Sequence, residues 1–123
     1  MKNKKILIIE ANEAVTRSLQ YTLTEEGFEV AIANAGIDGI AAAAKGDVDL
    51  ILLDLIIPGY SGFEVIEKIK DNPDSSDIPV IVFSNLDRPE DVKLLKEMGA
   101  VDFLSKSEMD GKKIAAKLTQ FFA

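Results

Sequence analysis

Three short runs of uninterrupted apolar residues limit what this chain can fold into: Ile6–Ile9, Leu50–Leu53 with Leu55–Ile57 just beyond, and Val80–Phe83. None alternates with polar residues, so none suits a sheet with one wet face. Runs of that length are strands covered on both sides, as in a parallel sheet. Between them the period changes to that of a helix. Val15, Leu19 and Leu23 recur at every fourth residue, and the segment closes at Gly27, a residue suited to the position after a helix. Ile37–Lys45 is alanine-rich and closes at Gly46. Phe63, Ile66 and Ile69 form a stripe that Asn72-Pro73 stops. Val92, Leu95 and Met98 form another, opened by Pro89, Glu90 and Asp91 and closed by Gly99. Ile114, Leu118 and Phe121 mark the last helix, capped by Asp110. Weaker strands fit Glu29–Ile32 and Val101–Leu104.

Strand and helix thus alternate along the whole chain. Right-handed crossovers wind such a pattern into an α/β, doubly wound, flavodoxin-like parallel sheet with helices on both faces. The strand order expected for five strands and five helices is 2-1-3-4-5, with ligands at the carboxyl ends beside the switch between strands 1 and 3. With 123 residues, 47% hydrophobic and 28% charged, the chain reads as one globular domain spanning 1–123, without repeat, linker or output domain.

Composition removes several chemistries. There is no cysteine and no histidine, which excludes disulfides, thiolate metal sites and imidazole as base, ligand or phosphoryl carrier. Oxygen ligands remain, and these suit hard cations such as Mg²⁺. A net charge of −7 argues against direct nucleic-acid binding, which needs a basic face. The apolar runs are strand-sized, so neither a membrane span nor a signal peptide is expected, and the location expected is cytoplasmic.

The central apolar run ends on Asp54. A carboxylate there is either a solvated rim residue or a reactive group held by the scaffold. In the expected order, strand 1 ends in Glu10, followed by Ala11-Asn12-Glu13; strand 4 ends in Ser84, followed by Asn85; and strand 5 ends near Ser105-Lys106. A carboxylate, a hydroxyl and an ammonium therefore border Asp54. Two acids suit a hard cation, while the hydroxyl and ammonium suit an anion beside it.

Over nearly its full length the chain resembles the receiver domains of two-component response regulators. The resemblance rests on the acid after "KILII", on Asp54 in "LILLDLIIPGYSG", on Ser84 closing "IPVIVFS", and on "GAVDFLSK" ending in Lys106. It implies a regulatory domain rather than an enzyme. Asp54 would accept a phosphoryl group from a phosphohistidine on a sensor histidine kinase or phosphotransfer protein. Mg²⁺ would be held by Glu10, Asp54 and the Ile56 carbonyl. Ser84 and Lys106 would hold the phosphoryl oxygens. Phe103 would occupy the aromatic switch position, with Ser84 as its trigger, and Ile56, Asn85 and Leu86 would tune access and hydrolysis. The switched face, made by the fourth helix, fifth strand and fifth helix, would meet a downstream protein or a second copy of the chain.

The chain departs from the family pattern at several positions. Two adjacent acids are usual after strand 1; here they are Glu10 and Ala11, and a methyl group cannot ligate. Glu10 or water would fill that place, with Asn12 as a neutral helper, so weakened Mg²⁺ binding is expected. Asn85 replaces a very small residue, and Ser107 replaces a proline that usually follows a cis peptide. Two readings stay open: a phosphorylation-controlled module, and a degenerate receiver acting as a phosphorylation-independent interaction domain. A flavin carrier on the same fold would need a Ser/Thr/Gly-rich loop after strand 1, where this chain has "EANEAVT". Hydrolases fail for want of histidine or a Gly-x-Ser-x-Gly elbow.

Overall fold

The three apolar runs form the centre of a five-stranded parallel sheet whose strands, counted along the chain, lie in the order 2-1-3-4-5. This is the expected fold class. The computed structural model describes residues 3–123. Its elements are β1 (Lys5–Ile9), α1 (Glu13–Glu25), β2 (Glu29–Ala33), α2 (Gly36–Ala43), β3 (Leu50–Leu53), α3 (Gly62–Asp71), β4 (Val80–Ser84), α4 (Pro89–Glu97), β5 (Ala100–Ser105) and α5 (Gly111–Phe122).

Side chains alternate across a strand, so each apolar run feeds two cores. Leu7, Ile9, Ile51, Leu53, Val80 and Val82 pack with Val65, Ile66 and Ile69 of α3 and Leu95 of α4. Ile6, Ile8, Leu50, Leu52, Ile81 and Phe83 pack with Leu19 and Leu23 of α1 and with Ile114 and Leu118 of α5. Each such side chain, once fully buried, contributes roughly 1.5–3 kcal/mol. Three of the central strands are thus held rigidly from above and below, which fixes where their carboxyl ends lie.

Two expectations shift. Phe121 is 45% exposed, not core. Ala115 is buried beside Ile114 and Leu118, and at about 100° per residue this turns the buried stripe of α5 towards Phe122. The Phe122 ring lies 6.2 Å from that of Phe28. The second helix ends at Ala43 and packs through Gly36, Gly39 and Ala43, leaving Ile37 in solvent. A Cβ on Gly39 would come within 2.5 Å of the Ile9 side chain, so a small residue there lets α2 lie close on β1.

The loop after β3 is tied down at both ends. Asp54 N–H donates to Ile9 O at 3.0 Å, and Gly62 N–H donates to Leu55 O at 2.9 Å. Ser61 and Glu64 cap α3 reciprocally, each side chain accepting from the other's backbone N–H. A Cβ on Gly62 would sit 2.5 Å from Leu55 Cα and 3.0 Å from Asp54 O, so glycine is what admits the first turn of α3 beside Asp54. Among the described residues no helix is long and apolar enough to cross a membrane.

Candidate functional site

Glu10 and Asp54 each follow the last residue of their strand, β1 and β3, and the parallel register sets Ile9 opposite Leu53. The two carboxylates therefore leave adjacent strands at the same edge of the sheet. Both are buried, with Glu10 2% and Asp54 6% exposed. Two buried anions need a cation, and Lys106 supplies it from just beyond β5. Its Nζ lies 2.5 Å from Glu10 Oε1 and 3.2 Å from Asp54 Oδ2. The ammonium also stands 5.5 Å from the centre of the Phe83 ring. Burial pulls the Lys106 pKa down, but the Glu10 carboxylate and the negative charge of Asp54 outweigh it and hold this lysine above its usual value.

The two oxygens of Glu10 are treated differently. Oε2 accepts from the Asn12 N–H at 3.0 Å. Oε1 is buried, and among the described residues its polar contact is the Lys106 ammonium. A buried carboxylate oxygen of that kind, beside a second carboxylate, has room in its valence for a hard cation. Ala11 adds no ligand, and among the described residues no group of three Asp or Glu side chains is placed to hold a metal ion. The donor set fits a Mg²⁺ ion that keeps several waters.

Ser84 ends β4, next to β3, and is 1% exposed. Its Oγ accepts from Leu86 N–H at 3.2 Å, and its own hydroxyl hydrogen is left to donate elsewhere. Lys106 N–H donates to Ser84 O at 3.2 Å, which joins the ends of β4 and β5. Glu10, Asp54, Ser84 and Lys106 thus gather at one edge of the sheet.

The remaining expected residues sit around this group. The Asn12 side-chain oxygen caps α1, accepting from Ala14 and Val15 N–H, so it is already engaged. Ile56 is 66% exposed and Leu86 41%; they follow Asp54 and Ser84 by two residues each. Phe103 is half-buried against the core on the α3 and α4 side of the sheet. Asn85 is exposed, and its side chain accepts from Ser107 N–H at 2.9 Å. No cis peptide bond occurs among the described residues. Two contributors were not anticipated: Asn34, whose Nδ2 donates to Glu10 O at 3.1 Å, and Phe83 beneath Lys106. Asn34 follows the edge strand β2, and only the pairing of β2 with β1 brings it to Glu10.

Comparison with known proteins agrees with this geometry. The family model described as the response regulator receiver domain matches residues 6–119. The response regulator PleD of Caulobacter vibrioides is 42% identical over 102 residues, which cover 83% of this chain and 22% of PleD. The chain thus spans about a fifth of that relative. Among solved structures, the chemotaxis response regulator CheY4 of Vibrio cholerae has a TM-score of 0.88 at 24% identity, covering 97% of this chain and 98% of that one. The Mn²⁺-bound form of response regulator Rcp1 has a TM-score of 0.82 at 30% identity, covering 97% and 94%. With strand order, acid pair and lysine all in register with a match of that extent, the chain belongs to the response regulator receiver domains of two-component signalling.

Proposed function

We propose that this chain is a phosphorylation-controlled signalling module in which Asp54 accepts a phosphoryl group from a phosphohistidine of a sensor histidine kinase or phosphotransfer protein. One observation carries the reading: a buried Asp54 shares a single ammonium with a buried Glu10, beside a serine hydroxyl with a free hydrogen. A merely solvated rim aspartate would have neither burial nor a shared cation.

In the step itself an Asp54 carboxylate oxygen attacks phosphorus, the phosphorus–nitrogen bond to imidazole breaks, and the imidazole departs with the bonding pair. Glu10, Asp54 and the Ile56 carbonyl would hold Mg²⁺, with water where Ala11 offers nothing. The ion's contribution when bound is to offset charge on the phosphoryl oxygens. Lys106 exchanges its contact with Asp54 Oδ2 for one with a phosphoryl oxygen. Ser84 turns its hydroxyl hydrogen towards another. The phosphoryl group adds roughly one to two negative charges at one point, so these charge-assisted bonds form only in the modified state. Drawing Ser84 inward leaves space beside β4 that Phe103 fills, which repacks the face of α4, β5 and α5 for a downstream protein or a second copy of the chain.

Apolar Ile56 and Leu86 offer no group to orient an attacking water, so the acyl phosphate hydrolyses slowly. For the incoming kinase or phosphotransfer protein we favour the groove between α1 and the loop after β5. It has a volume of about 340 Å³, its lining includes Val15, Ser18, Phe83, Met109 and Ile114, and Lys106 lies at its side.

The test is intact mass after incubation with Mg²⁺ and a small phosphodonor. One phosphoryl mass on the wild-type protein, absent from Asp54→Ala, is the expected result. A second reading, a phosphorylation-independent interaction domain, draws on Ala11 and on a Lys106 held by two carboxylates in the resting protein. No added mass under saturating donor would select it.

A further inference from the structure

Lys106 is held by its backbone on two sides. Its own N–H donates to Ser84 O at 3.2 Å, and the next N–H, of Ser107, donates to Asn85 Oδ1 at 2.9 Å. The first bond belongs to the ladder between β4 and β5. The second extends that ladder one residue further through a side chain, after both strands have ended. Around it the turn is closed: Glu108 N–H donates to Ser105 O at 3.1 Å, and the Ser105 and Ser107 hydroxyls lie 3.0 Å apart. Asn85 is exposed and follows Ser84 directly, and its side chain straps the loop after β4 to the loop after β5.

We propose that Asn85 and the Ser107 amide form a latch that positions Lys106 against Asp54, joining the loop that follows Ser84 to the loop that carries Lys106 so that they move as one unit. A serine at 107 makes this possible, because it supplies an N–H that proline lacks. Asn85 is therefore a positioning residue, not merely bulk at the mouth of the site. The two roles predict opposite results: a residue that only narrows the mouth should, when truncated, ease anion entry, whereas loss of the latch weakens anion binding.

The consequence for phosphate rests on the phosphoacceptor reading; the latch itself does not. Two measurements on the full chain keep them apart. The first is made without ligand, by NMR. In Asn85→Ala the Ser107 amide should exchange with solvent about fivefold faster, the loss of one ordinary hydrogen bond. The Lys106 methylene protons should also lose part of the ring-current shift that Phe83 gives them. Ser107→Ala keeps the amide and should keep both signals. The second measurement is fluoroberyllate affinity with Mg²⁺. Asn85→Ala should bind about fivefold more weakly. In the Ser107→Pro background, where the donor is gone, the same substitution should change nothing. Unchanged exchange and ring-current shift in Asn85→Ala would overturn the latch. So would equal or tighter fluoroberyllate binding, or an equal loss in the proline background. If the wild-type protein takes no fluoroberyllate, the phosphoacceptor reading falls, and the ligand-free signals alone decide the latch.

Discussion

Replacing Lys106 by methionine removes the cation that, among the described residues, meets both buried carboxylates, while keeping the apolar stem of the side chain. The magnitude follows from the geometry. Unit charges about 3 Å apart attract by about 5 kcal/mol at an effective dielectric of about 20, and Lys106 makes two such contacts, at 2.5 and 3.2 Å. Part of that attraction offsets the cost of taking the ammonium out of water. Breaking a buried pair by removing one partner typically costs about 3–5 kcal/mol. Here the lysine side chain keeps 21% exposure against 3% for Glu10 and 8% for Asp54, so water can enter in its place, and about 2–3 kcal/mol is expected. Urea unfolding at pH 7 and low salt, without divalent ions, measures it as a lower midpoint at unchanged slope. A companion substitution separates charge from packing. Asp54→Asn alone leaves Glu10 and Lys106 as a neutral pair and should be near neutral or stabilising. In the Lys106→Met background it removes a like-charge contact and should restore more than about 1 kcal/mol. A Lys106→Met protein within about 0.5 kcal/mol of wild type, or a double variant no more stable than the single, would refute the claim that this lysine neutralises both acids.

Ala11→Asp supplies the missing carboxylate, and isothermal titration should show Mg²⁺ affinity raised by about tenfold or more; equal affinity would mean Ala11 is not the weak point. Gly62→Ala puts a methyl 2.5 Å from Leu55 Cα, and overpacking against backbone should cost about 1–3 kcal/mol in urea unfolding. A neutral result would show that the first turn of α3 can move away from Asp54. The Lys106 pKa is raised in the folded protein by Glu10 and Asp54 despite burial, so its stabilisation is complete below the ordinary lysine value and is lost as pH climbs through the higher folded value. The stability gap between wild type and Lys106→Met should therefore narrow above about pH 10.5; a widening gap would reverse the assigned sign. Once phosphorylated, Asp54 should stay so for minutes or longer, and loss within seconds, followed by intact mass, would contradict the role given to Ile56 and Leu86.

Much of this protein is legible in its residues, for a definite physical reason. An apolar run without alternation can only be buried on both faces, so Ile6–Ile9, Leu50–Leu53 and Val80–Phe83 had to be central strands. Five α/β alternations with right-handed crossovers then leave few ways to order the sheet. The strand ends follow from where the apolar runs stop, which is why the sequence alone sets Glu10, Asp54, Ser84 and Lys106 at one edge of the sheet. Local signals failed where neighbours decide. The stripe of α5 points to Phe121 by period alone, yet burial of Ala115 turns that helix towards Phe122 and Phe28. Asn12 is an oxygen donor by composition and a helix cap by position.

Hydrophobic period and chain connectivity suffice to set the layers, the sheet and the edge at which the acids emerge. That one ammonium serves both carboxylates, that Asn34 steadies Glu10, and that Asn85 reaches the Ser107 amide follows from the folded arrangement alone. Those contacts join residues far apart in the chain. Their existence depends on how closely the strand ends and loops approach one another, which no period or composition encodes.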